Sequence, residues 1–161
     1  MMFSVKNLLL SSLAVVTTSG HAMRASSPLD VKIKRVGNTL IKTTVTNTGD
    51  ENIRFVETAS IIDSVPVQKV EAFSDGKPLQ FKGIYVNIDP KRLEDANFRK
   101  LNAHDFIEAA FDLADLYDVS MGGDFTLFSR GGFMLGESSG HNVTGYASYT
   151  SNVLSIHVES T

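Results

Sequence analysis

Alternation between apolar and polar positions is the dominant pattern in this chain. Val31 and Ile33 share one face of an extended segment whose other face carries Lys32 and Lys34, which predicts a strand buried on one side. Gly37 and Asn38 interrupt it, and a β-branched run from Leu40 to Thr46 resumes before Asn47-Thr48-Gly49-Asp50 turns the chain again. Ile53 and Phe55 flank Arg54 in a third strand, with a patchy apolar continuation to Ile62, and Pro66 marks a sheet edge or a strand start. Val67 to Phe73 and Pro78 to Val86 surround Ser74-Asp75-Gly76-Lys77, where Asp-Gly can adopt the positive φ angles of a tight hairpin turn. Leu79 and Phe81 alternate with Gln80 and Lys82 in the second arm.

The stretch from Asp89 to Lys100 is charged and reads as a surface connection. Ala103 to Tyr117 fits two periods, because Phe106, Ala109, Ala110, Leu113 and Leu116 also follow helical spacing. Asp124 to Phe128 returns to strand, the glycines from Gly131 to Gly140 read as a loop, and Leu154, Ile156 and Val158 alternate as a last strand. About seven short strands separated by turns predict an all-β fold, an immunoglobulin-like antiparallel β-sandwich. No internal repeat is evident.

The N-terminus follows a different logic. Met1 to Lys6 carries one basic side chain, and an uncharged stretch from Asn7 to Ser19 contains Leu8, Leu9, Leu10, Leu13, Val15 and Val16. This is the shape of a secretion signal, and the small residues Gly20 and Ala22 around His21 place its cleavage after Ala22. The apolar run is shorter than the roughly 20 residues that span a bilayer. The expected organisation is a signal peptide over residues 1–22, a polar lead over 23–27 and one β-domain over 28–161, secreted and free of the membrane once the signal is removed.

Composition narrows the chemistry. The chain has 161 residues, a formal net charge of −3 and no cysteine. The core, without disulfides, must supply the stability, and thiolate metal sites and thiol nucleophiles are excluded. Lys and Arg are scattered along the chain, which argues against nucleic acid as a partner.

Gly136-Glu137-Ser138-Ser139-Gly140 has the spacing of a nucleophile elbow, but no Asp or Glu lies between Ser138 and His157, and no helical pattern follows the serine. A flexible hairpin loop is the expectation. Gly131 to Gly136 resembles a phosphate loop only until Glu137, a carboxylate standing where a lysine would neutralise phosphate. His104, His141 and His157 lack helical i, i+4 pairing, and the carboxylates of Asp105 and Glu108 near His104 supply no third ligand for zinc. Asp112, Asp115 and Asp118 recur every three residues, unlike a calcium loop, and read as a solvated acidic edge. Catalytic, cofactor and metal residues are therefore expected to be none. Asn142-Val143-Thr144 is an N-glycosylation sequon in a polar setting, so Asn142 is a candidate acceptor. Lys91-Arg92 is a dibasic pair expected to stay intact in the folded chain.

The residues also carry a resemblance. Pro28-Leu29-Asp30-Val31-Lys32 followed by Arg35-Val36-Gly37-Asn38-Thr39 resembles the start of the propeptide of deuterolysin-type fungal zinc metalloproteases. Val45 to Glu51, Pro66 to Val70, Phe81 to Ile84, Phe111 to Ala114, Tyr117 to Gly123 and Thr144-Gly145-Tyr146 with Tyr149, Ser151 and Asn152 extend it over residues 28–158. The resemblance implies a strand over much of Ala103 to Leu113 and a short turn at Ala114 to Ser120. In that family a zinc endopeptidase domain with a His-Glu-x-x-His helix follows the propeptide; this sequence contains no such motif, and no catalytic residue carries over. The implied role is a non-enzymatic domain that assists folding of a deuterolysin-type metalloprotease or keeps it latent, by binding. Two other readings stay open: a truncated protease precursor, and a secreted structural or host-interaction protein.

Overall fold

The alternation read from Leu29 onward builds a three-stranded antiparallel sheet in the computed structural model, which describes residues 27–160. The signal peptide, the cut after Ala22 and nearly all of the 23–27 lead lie outside the described residues. Strand β1 (Leu29–Arg35) pairs with β2 (Leu40–Asn47), Leu29 opposite Asn47 and Arg35 opposite Ile41. Strand β2 then pairs with β7 (Phe106–Asp112), Leu40 opposite Asp112 and Thr46 opposite Phe106. Period two puts Val31, Ile33, Ile41 and Val45 into the core while Lys32, Lys34 and Lys42 stay outside.

A second sheet has the order β10 (Val143–Thr150), β9 (Arg130–Gly136), β3 (Ile53–Val56) and β6 (Phe98–Leu101). A third runs β11 (Leu154–Val158), β8 (Gly123–Phe128), β4 (Glu71–Ser74) and β5 (Lys77–Pro78). Every strand pairing is antiparallel. The inner faces of the three sheets share one core. Ile41 and Val45 come from the first sheet, Phe55, Leu101 and Phe133 from the second, and Ala72, Leu127, Ile156 and Val158 from the third. Phe55 and Phe133 pack with ring centroids 4.7 Å apart, and Tyr149 continues the stack at 5.3 Å from Phe133.

The all-β antiparallel sandwich is thus present, with eleven strands among the described residues instead of about seven. Asp89 to Lys100 is not wholly a surface connection: after two short 3-10 turns, Phe98–Leu101 pairs with β3. The Asp-Gly hairpin forms, with positive φ at Asp75 (49°) and Gly76 (72°), but its second arm is only Lys77–Pro78. Beyond it the chain changes partner repeatedly. Leu79 N–H donates to Ala72 O, Lys82 N–H to Leu116 O and Ile84 N–H to Pro66 O, so no ladder develops. In the first arm, likewise, only Glu71–Ser74 is strand.

Ala103 to Tyr117 resolves its two periods in series. Strand β7 is followed directly by α1 (Leu113–Leu116), one turn whose start Asp112 caps by accepting from Ala114 N–H.

The largest correction concerns the glycines. Gly131, Gly132 and Gly136 lie in β9, not in a loop. A Cβ on Gly132 would enter the ring of Tyr146, one on Gly131 would lie 3.3 Å from the Tyr149 hydroxyl, and one on Gly136 would lie 2.5 Å from the Phe98 ring. Glycine here makes room for neighbouring aromatic rings on a strand and does not loosen the backbone.

Candidate functional site

The residues that sequence patterns single out are dispersed, and most have local structural partners. Ser138 sits in the exposed 137–142 connection between β9 and β10. The setting is strand, turn, strand, so the helix that a nucleophile elbow requires is missing from its expected place. The phosphate-loop likeness of Gly131–Gly136 fails for the same reason, its backbone being engaged with β10.

His104 lies in the turn before β7, with Nε2 2.9 Å from an Asp50 carboxylate oxygen. His157 lies on β11, with Nδ1 2.7 Å from Asp124. His141 is in the 137–142 connection. Among the described residues no group of three or more His, Asp or Glu side chains is placed to hold a metal ion. The acidic series is spent on turns: Asp112 caps α1, and Asp118 Oδ1 accepts from both the Ser120 N–H and its hydroxyl, which holds the Asp118 carboxyl below its ordinary pKa. Asp115 is exposed, Lys91 and Arg92 stand exposed in a 3-10 turn, and Asn142 is exposed with its amide 3.3 Å from Glu137 Oε2.

Several residues that carry the architecture escape motif searches. The guanidinium of Arg54 lies 4.1 Å from the Phe98 ring centroid, donates to the carbonyl oxygens of Gly140 (2.7 Å) and Glu137 (3.3 Å), and pairs with Asp95. It ties the β9–β10 tip to β3. Buried Asn47 accepts from Gly49 N–H and donates to Glu51 O and Asn102 O, joining the end of β2 to the end of β6. Asn152 closes β1, its amide accepting from Ile33 N–H at 2.9 Å and donating to Ile33 O at 3.0 Å, as a paired strand residue would. Burial raises the pKa of Tyr117, whose hydroxyl donates to Val70 O at 2.5 Å, and that of Tyr149, 3.2 Å from the Ser129 hydroxyl. Lys69 is buried with its ammonium on Asp63 O; desolvation lowers its pKa, and the Asp63 charge partly restores it. Each of these groups is engaged with partners inside the fold, although Lys69 and Tyr117 also line one surface cleft and Arg54 another.

What faces solvent is of another kind. Ile84, Tyr85 and Val86 are consecutive and exposed, Tyr85 at 79%. Pro66, which accepts from Ile84 N–H, also lines a groove with Leu40, Ser64, Ala110 and Asp112 at the end of β7. Phe106, at the other end of β7, is 57% exposed.

Comparison with known proteins agrees with a protease-linked origin. The family model for the deuterolysin metalloprotease (M35) family matches residues 1–161. A neutral protease 2 homolog of Colletotrichum graminicola is 35% identical over 159 residues, which is 99% of this chain and 45% of that protein. One from Phaeosphaeria nodorum is 35% identical over 153 residues, covering 93% of this chain and 43% of the relative. One from Arthroderma gypseum is 37% identical over 136 residues, covering 84% and 36%. The chain spans less than half the length of these curated relatives. It belongs to the deuterolysin metalloprotease (M35) family.

Proposed function

We propose that this chain is a secreted, propeptide-type domain that acts by binding an M35 metalloprotease, assisting its folding or holding it latent, without catalysis of its own. The observation that carries this reading is how the ionisable side chains are used. His104, His157 and most of the carboxylates singled out by sequence meet in pairs or cap turns, while the exposed surface offers Ile84, Tyr85 and Val86 and a mixed polar and apolar groove at the end of β7. A binding role needs shape and apolar contact area. Zinc hydrolysis needs convergent ligands and a general base.

The test is to mix the purified chain with the catalytic domain of a neutral protease 2 homolog. Slower proteolysis of a protein substrate, or a higher yield of active protease on refolding, is the expected result; no effect on either defeats the proposal. Secretion is part of the same reading and is checked by the mature N-terminus, expected at Met23. Asn142, exposed at the β9–β10 tip, is the proposed glycan acceptor, checked by a mass decrease on glycosidase treatment.

A second reading, that the sequence is part of a longer protease precursor, is favoured by its coverage of only 45% of the Colletotrichum relative. A transcript that continues in frame into a His-Glu-x-x-His motif would establish it.

A further inference from the structure

We propose that the free edge of β7 pairs with the same edge of a second copy, giving a two-fold symmetric dimer with a continuous six-stranded sheet. The backbone fixes which groups are available. Asn47 N–H donates to Asp105 O and Leu113 N–H to Thr39 O, both at 2.9 Å. Hydrogen-bonded pairs alternate along an antiparallel ladder, so Ile107, Ala109 and Phe111 direct their backbone groups to β2. Glu108, Ala110 and Asp112 direct theirs outward, as does Phe106, whose N–H is taken by Asp105 Oδ1 at 2.8 Å.

Among the other terminal strands, Asn152 closes β1, β6 is four residues long with Arg99 and Lys100, and β5 is two residues long and contains Pro78. The remaining two, β10 and β11, lie against β1. Strand β7 has seven residues with no lysine, arginine or proline, and Phe106 exposed at its start.

Charge selects the register. A two-fold axis at Ala109 sets Glu108 opposite Ala110, Ile107 opposite Phe111 and Phe106 opposite Asp112 of the second copy. Sliding by one allowed step sets Glu108 against Glu108 in one direction and against Asp112 in the other, and like charges directly opposed are unfavourable. In the Ala109-centred register each Glu108 keeps its ion pair with Lys42 of its own chain, 2.6 Å away.

Shape agrees with charge. The exposed Phe106 and the groove lined by Leu40, Ser64, Pro66, Ala110 and Asp112 lie at opposite ends of β7, and this antiparallel two-fold brings each Phe106 to the other copy's groove. The contact is isologous and closes at two copies.

The chain has no cysteine, which makes the register directly measurable. Light scattering over a concentration series up to the solubility limit is expected to show a monomer–dimer equilibrium. Under mild oxidation Ala109→Cys should cross-link, because that residue meets itself across the axis. Glu108→Cys should not, its Cβ atoms being about 7–8 Å apart on the diagonal. Ala110→Glu places carboxylates opposite Glu108 twice and should weaken the dimer about tenfold while circular dichroism stays unchanged. A monomer at every concentration overturns the proposal, as does preferential cross-linking of Glu108→Cys, or a dimer that folded Ala110→Glu leaves intact.

Discussion

The two edges of the first sheet are built from similar strands and treated in opposite ways. Strand β1 carries Lys32, Lys34 and Arg35, and Asn152 closes it by binding both backbone groups of Ile33. Strand β7 carries no basic residue, and among the described residues no strand lies beside its outer backbone groups. An edge is defined by what reaches it as well as by its own side chains. The β1 edge is an internal seam of the sandwich, whereas the β7 edge is an outer boundary.

This contrast can be broken from either side. The largest effect is expected from Phe111→Ala, because Phe111 is the residue through which β7 enters the core; it is 8% exposed, and its loss should cost about 3–5 kcal/mol, read by denaturant unfolding. Asn152→Ala should open the β1 seam. Leaving the Ile33 N–H and C=O without partners is expected to cost about 2 kcal/mol and to speed amide exchange at Ile33 selectively. An unchanged exchange rate would show that the seam is held by packing alone.

A smaller effect belongs to the outer face of β7. The hydrogen bond from Lys42 holds the Glu108 carboxyl below its ordinary value of 4.5. A folded-state pKa lower than the unfolded one contributes stability that is complete above the unfolded value and is lost as pH falls through the folded one. Wild type should therefore melt above Glu108→Gln near neutral pH, and the gap should shrink below pH 4.5 as acid is added. The smallest change is expected for Phe106→Ser, which should alter monomer stability by less than about 0.5 kcal/mol, since the ring is exposed, while weakening self-association.

Much of the fold was legible because it depends on nearest-neighbour pattern. Alternation identifies β1 and β2, and Asp75-Gly76 marks its turn. The failures share one cause: the deciding partner is remote in sequence. Gly131 and Gly132 read as a loop until Tyr146 and Tyr149 are set against them from β10. Phe98–Leu101 looks like a charged connection until β3 is found beside it. The apolar residues from Ala103 to Leu116 fit a helix as well as a strand, and only pairing with β2, more than fifty residues earlier, decides most of them. The exposed surface was illegible for the same reason, since no local signal states that β7 is the last strand of its sheet. The resemblance to a protease propeptide supplied the family, which the comparison bears out, but not the free edge.

The clamp on β1 also bears on how the chain reaches this state. Ile33 is held by Asn152, and Asn38 exchanges hydrogen bonds with the backbone of Glu159, so the first hairpin is finished by the final strands. Contacts of such sequence separation carry a large loop-closure cost before they return any stability, which slows folding. During synthesis, the early strands must wait for the last segment to emerge, with their seam unfilled. The domain is therefore expected to acquire its structure late and in one cooperative step, so the interval before closure is when it is most open to aggregation or assistance.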